Sequence, residues 1–200
     1  MRHQATPTPT RFWFVMLAAM AMLLPAAASR AALPDTFDLA PAQANVVMVI
    51  KNLNDFNDKM VKWGAATTIP VQGGLIHRAM ADAGVEDGMN LDAPALVAMT
   101  HVNEAVENNT EPKYIMLIPV SDYQAFLGNF ETEKDGEISS FKKARATYYV
   151  REHGDYAVLS EFEDLVKNYK PGNKAAAMSQ TIGSYGQKYA QSGDLITYVD

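Results

Sequence analysis

The sequence predicts an α+β fold, a mainly antiparallel sheet with helices packed on one face, built from repeated strand–cap–helix units. Three observations carry this. Short apolar, β-rich runs recur at Val46–Ile50 (VVMVI), Tyr114–Val120 (YIMLIPV) and Tyr156–Leu159 (YAVL). Each is followed almost at once by a polar cap and an amphipathic helix pattern. With 48% apolar and 20% charged residues, the 200-residue chain has enough greasy surface for a core and no reason to be disordered or fibrous.

The chain opens with a different kind of segment. Arg2, His3 and Arg11 make a basic start, and Phe12–Leu24 (FWFVMLAAMAMLL) is apolar without a charge. Pro25 then breaks any helix, and small residues follow, with cleavage expected after Ala28 or Ala31. Basic, apolar, then small at the cut is the order of a secretory signal peptide. The apolar run is short for a span, which needs about 20 residues. Residues 1–31 are therefore expected to be a signal peptide. Residues 32–200 are expected to be the exported α+β domain, periplasmic or extracellular, with no membrane span.

The elements follow in order. After Val46–Ile50, Asn54 is the expected cap, with Phe56, Met60 and Trp63 on one helix face and Gly64 as the stop. Leu75–Ala83 reads as a helix between Gly73-Gly74 and Gly84, and Ala95–His101 as a strand. Asn103–Pro112 reads as a polar connection; its Asn108-x-Thr110 is a glycosylation sequon in form. After Tyr114–Val120, Ser121 and Gln124 spell a capping box, and Tyr123, Phe126, Leu127 and Phe130 form the stripe. Glu131–Glu137 reads as an acidic turn. Arg145–Arg151 and the run from Tyr156 form a hairpin around Glu152-His153-Gly154-Asp155.

The third unit has Ser160 and Glu163 as its capping box and Phe162, Leu165, Val166 and Tyr169 as its stripe, closed by Pro171-Gly172. Asn173–Gln191 is expected to be helical in part, weakened by Gly183 and Gly186. Asp194–Asp200 (DLITYVD) reads as a strand ending in another cap residue. By the pattern of the earlier units a helix should follow, so the domain is expected to be incomplete at its C-terminus, with the natural chain continuing past Asp200. Apolar residues on both registers of Val46–Ile50 and Tyr114–Ile118 imply inner strands covered on both faces. That leads to the expectation of a further domain or a homo-oligomer.

The chemistry is defined mostly by what the residues do not offer. Without cysteine there are no disulfides, thiol nucleophiles, thiolate-held iron–sulfur clusters or Cys-based zinc sites. Residues 1–31 hold Arg2, Arg11 and Arg30 and no acid, so the remainder is more acidic than the whole chain, whose net charge is −6. With no basic cluster, it is a poor partner for nucleic acid or an anionic lipid surface. His77, His101 and His153 each lack a second histidine at i+3 or i+4, which a helical metal site would use. Glu131, Glu133, Asp135 and Gly136 resemble the start of a calcium loop, but Lys142 stands where the bidentate glutamate belongs. Ser140-x-x-Lys143 matches a serine–lysine nucleophile pattern in letters only. It precedes a strand and lacks the later Lys-Thr-Gly. Asp55, Asp122 and Glu161 follow expected caps, where a helix dipole favours acids. No catalytic, cofactor-binding or metal-ligating residue is nominated.

The stretches Tyr114–Phe130 (YIMLIPVSDYQAFLGNF), Gly154–Tyr169 (GDYAVLSEFEDLVKNY) and Gly193–Asp200 (GDLITYVD) resemble a group of exported bacterial proteins of unknown function. In that group a signal peptide precedes long repeats with a lipoprotein-like or envelope location. The resemblance implies an envelope address and a chain that continues past Asp200. It carries no active-site residues, and the missing lipid-accepting cysteine departs from its lipoprotein members.

The expectation is therefore a non-catalytic envelope or extracellular module for binding or structural assembly, whose partner is a protein or a cell-envelope component. The rival is a hydrolase whose carboxylate-based acid–base pair meets only in space, completed by residues past the chain end.

Overall fold

The computed structural model describes residues 33–67 and 73–200. The expected signal peptide, residues 1–31, lies outside the described residues. Among the described residues, eight strands form one antiparallel sheet: β1 (Ala44–Ile50), β2 (Ala95–Thr100), β3 (Lys113–Pro119), β4 (Thr132–Asp135), β5 (Ile138–Lys143), β6 (Ala146–His153), β7 (Tyr156–Ser160) and β8 (Leu195–Val199). Their order across the sheet is β4-β5-β6-β7-β3-β2-β1-β8. A 3₁₀ turn at Asp35–Leu39 precedes β1. The helices are α1 (Leu53–Thr67), α2 (Leu75–Ala83), α3 (Val102–Asn108), α4 (Tyr123–Gly128), α5 (Glu163–Lys167) and α6 (Ala175–Ser192). The mainly antiparallel α+β architecture matches the sequence expectation. Among the described residues no helix is long and apolar enough to cross a membrane.

Side chains alternate across a strand, so each inner strand feeds two cores. Val47, Val49, Leu96, Ala98, Ile115, Leu117 and Val158 point to one face, where they meet Phe37 of the 3₁₀ turn, Leu165 of α5, Tyr169, and Ala175 and Met178 of α6. Met116, Ile118, Phe141, Val150, Ala157 and Leu159 point to the other, where they meet Tyr123 and Phe126 of α4 and Met80 of α2. α1 packs against α2. The helices thus divide between the two faces, which corrects the expectation of helices on one face. On the second side of β3, Met116 and Ile118 are partly buried in the cluster that α4 and α2 form with the sheet.

The three strand–helix junctions share an order of elements and little else. Their helices run 15, 6 and 5 residues, and α4 and α5 lie on opposite faces. The caps also differ from those expected. Asn52, not Asn54, accepts from the Asp55 amide at 2.8 Å. Asp122, not Ser121, caps α4 by accepting from the amides of Gln124 and Ala125 at 2.9 and 3.0 Å. Ser121 Oγ instead donates to the Met89 carbonyl. Ser160 Oγ accepts from the Phe162 amide and donates to the Tyr114 carbonyl at 2.6 Å, tying β7 to β3. The first residue flanking α5 is Phe162, which has no side-chain cap, so the Ser160–Glu163 box does not form.

Two segments read as irregular are ordered. Within Asn103–Pro112 the chain forms α3, closed by Asn109 in the left-handed region. The acidic turn is the β4–β5 hairpin around Gly136, whose φ is +62°. At the other end, α6 is kinked at Gly183 and capped from afar: Asp38 Oδ1 accepts from the Ala175 amide at 2.8 Å.

Candidate functional site

The histidines do not come together. His77 lies exposed on α2, its Nδ1 3.4 Å from Asn57 Nδ2. His101 is exposed at the left-handed junction of β2 and α3, with Nδ1 3.0 Å from Thr100 Oγ1. His153 ends β6, its ring edge-on to Tyr169 at 5.1 Å. Glu131, Glu133, Asp135 and Lys142 are all exposed. Ser140 sits inside β5 rather than at a helix start, so it has no helix-borne lysine partner. Among the described residues no three acids or histidines are grouped to hold a metal ion.

Tertiary structure does assemble one cluster that the sequence hid. Continuing the registers of β3–β7 and β6–β7 by one or two residues places Glu161 between Tyr114 and Tyr148. The Tyr114 hydroxyl donates to Glu161 Oε1 at 2.5 Å. Burial first, then the Glu161 hydrogen bond, pushes the Tyr114 hydroxyl up, and burial and the same carboxylate push Tyr148 up. Both phenols stay protonated at neutral pH, which suits hydrogen-bond donation and not general-base work. With a single carboxylate, the cluster braces three strands at one end of the sheet.

Toward the other end of β6, α4 and the β4–β5–β6 strands frame an open cleft of about 830 Å³, lined among others by Tyr123, Phe130, Lys134, Glu137 and Glu152. Burial first, and then the Glu152 carboxylate, pushes the Tyr123 hydroxyl up to about 12. Glu152 and His153 both border the cleft. They are neighbours on one strand, however, so their side chains leave opposite faces of the sheet. His153 packs on Tyr169 in the core that holds α5 and α6, which takes it away from Glu152.

The raised tyrosines have a consequence for stability. Tyr123 holds its proton in the folded state to about pH 12, whereas an unfolded tyrosine releases it near pH 10. Its contribution is intact below about pH 10 and is lost as pH rises from there through about 12. Tyr114, Tyr148, Tyr156 and Tyr169 shift the same way, each first by burial. Urea midpoints should hold steady to about pH 9 and fall above about pH 10, with Tyr123→Phe softening the fall. A midpoint unchanged through strong alkali would contradict the burial of these hydroxyls.

Among the described residues, β8 is one of the two edge strands of the sheet. The Lys51 amide donates to the Asp194 carbonyl, and the Asp200 amide donates to the Asn45 carbonyl. The register between them pairs Val49 with Ile196 and Val47 with Tyr198. Alternation then turns the backbone groups of Ile196 and Tyr198 inward to β1, and those of Leu195, Thr197 and Val199 outward. Among the described residues no strand pairs with that outer side. The strand carries no charge and no proline, and Val199 is 68% exposed. The opposite edge, β4, is fully exposed but reads Thr-Glu-Lys-Asp, the charged composition that discourages pairing.

No protein-family model matches the chain, and comparison with curated proteins and with solved structures finds no match either.

Proposed function

We propose that the chain is an exported, non-catalytic module of the cell envelope or extracellular space that binds a protein or envelope component, or takes part in structural assembly. The observation that carries this reading is the asymmetry of the two sheet edges, one charged and one apolar with outward-facing amides. An edge of that kind is a ready template for strand addition. The acidic chain makes nucleic acid a poor partner. The basic-then-apolar N-terminus supports the exported location.

The cleft is the observation that favours the second reading, a hydrolase, since Glu137 and Glu152 both border it. One experiment separates the two. The chain is expressed with its own N-terminus, recovered from the exported fraction, and assayed against ester, peptide and glycoside substrates. Recovery there without turnover is the expected result. Turnover abolished by Glu152→Gln or Glu137→Gln would replace the assembly reading with the hydrolase.

A further inference from the structure

We infer that the partner at the β8 edge is a second copy of this chain, joined antiparallel strand to strand about a two-fold axis at Thr197. This deepens the assembly reading and rests on it. A pair centred on Thr197 sets Leu195 opposite Val199 of the second copy, Ile196 opposite its Tyr198, and Thr197 opposite its Thr197. All three outward-facing residues then find backbone partners at once, while a slipped register leaves at least one without. β-Branched–aromatic pairs and Thr–Thr pairs are among the cross-strand combinations that stabilise sheets. The strand is nearly a chemical palindrome, which is what an isologous interface demands.

Charge fits as well. The same register brings Asp200 of the second copy beside Asp194, which carries Lys59 at 2.6 Å and whose carbonyl accepts from the Lys51 amide. The Lys59 ammonium pairs with Asp194, and the Lys51 ammonium lies in the field of the same carboxylate while donating to the Gln191 carbonyl, so the two aspartates at each end do not face each other without a cation. The charged β4 edge stops further addition, so the assembly closes as a dimer rather than growing into a fibre. A five-residue edge is small against the ~1,200 Å² of a standard interface, so the dimer should be weak, of micromolar affinity.

The test uses the full chain at about 100 µM, above the micromolar Kd expected, with mass measured by light scattering. The expected result is a dimer that dissociates on dilution. Thr197→Lys should raise Kd at least about tenfold by placing two ammonium groups face to face. Thr197→Pro should act similarly, since the amide it removes points outward; Thr197→Lys keeps the test alive if that variant misfolds. As the chain has no cysteine, Thr197→Cys should cross-link to itself on mild oxidation. Leu195→Cys should cross-link to Val199→Cys and not to itself. A monomer at that concentration, a dimer indifferent to Thr197→Lys, or a monomer whose edge takes up a different chain's strand would overturn the inference. A monomer without turnover leaves the assembly reading standing; turnover lost in Glu152→Gln removes that reading whatever the mass.

Discussion

Truncating Phe126 to alanine should lower the unfolding free energy by about 3–5 kcal/mol, read as a drop in urea midpoint with an unchanged slope. Phe126 is 1% exposed and fills the core between α4 and the sheet with Val120, Phe141, Val150 and Leu159. Its ring stands edge-on to Phe130 at 5.6 Å, Phe130 stacks on Phe141 at 4.0 Å, and Phe141 lies over Tyr148 at 5.6 Å. Removing the first ring leaves a void at the root of that series. α4 is only six residues long, too short to persist without its packing. Phe162→Ala should cost less. Its ring is only partly buried, edge-on to Tyr114 at 6.3 Å, although helical spacing alone ranks the two phenylalanines equally. A loss below about 1 kcal/mol for Phe126→Ala would show that α4 does not pack as described.

Gly88→Ala should be comparably damaging, although the change adds one methyl group. Gly88 has φ +87°, and a Cβ there would sit 2.1 Å from the Phe126 amide nitrogen and 2.6 Å from the Asp122 carbonyl oxygen. Those are backbone atoms of α4 and its cap, which cannot swing aside as a side chain would. The Gly88 carbonyl also accepts from the amides of Ser121 and Asp122, fixing the entry to the helix. Left-handed strain of about 1–2 kcal/mol adds to overpacking of about 1–3, so a loss of about 2–5 kcal/mol is expected in chemical denaturation. Gly136→Ala is the control. Its φ is also positive, +62°, but nothing lies within 4 Å of the added carbon, so only the strain remains. Equal losses at the two positions would contradict the close approach of Gly88 to α4.

The sequence made the inner strands legible because β1, β3 and β7 combine apolar runs with clear breaks. Their faces were not legible. Apolar residues on both registers say that both sides are covered, but not whether the cover is α4, α6 or another molecule. β4 was missed because Thr132–Asp135 are all exposed, and its strand state comes from pairing with β5. α3 was missed because only Ala105 of its seven residues is buried, too little to write a stripe. Adjacent cap-forming residues such as Ser121 and Asp122 look alike in one dimension; the turn itself decides which side chain reaches the amides. Asp38 capping α6 is beyond any local pattern, since 137 residues separate the partners. The Tyr114–Glu161–Tyr148 cluster likewise exists only through strand register. At the candidate site, the apolar strand Leu195–Val199 was plain in the sequence. That it forms an edge depends on long-range strand order.

Amide hydrogen exchange along β8 tests the central claim most directly, read residue by residue in dilute and in concentrated solution. In dilute solution the amides of Ile196 and Tyr198 should exchange slowly while those of Leu195, Thr197 and Val199 exchange fast. In concentrated solution all five should be slow. Outward amides that stay fast at every concentration, or that are already slow when dilute, would contradict an open edge waiting for its second copy.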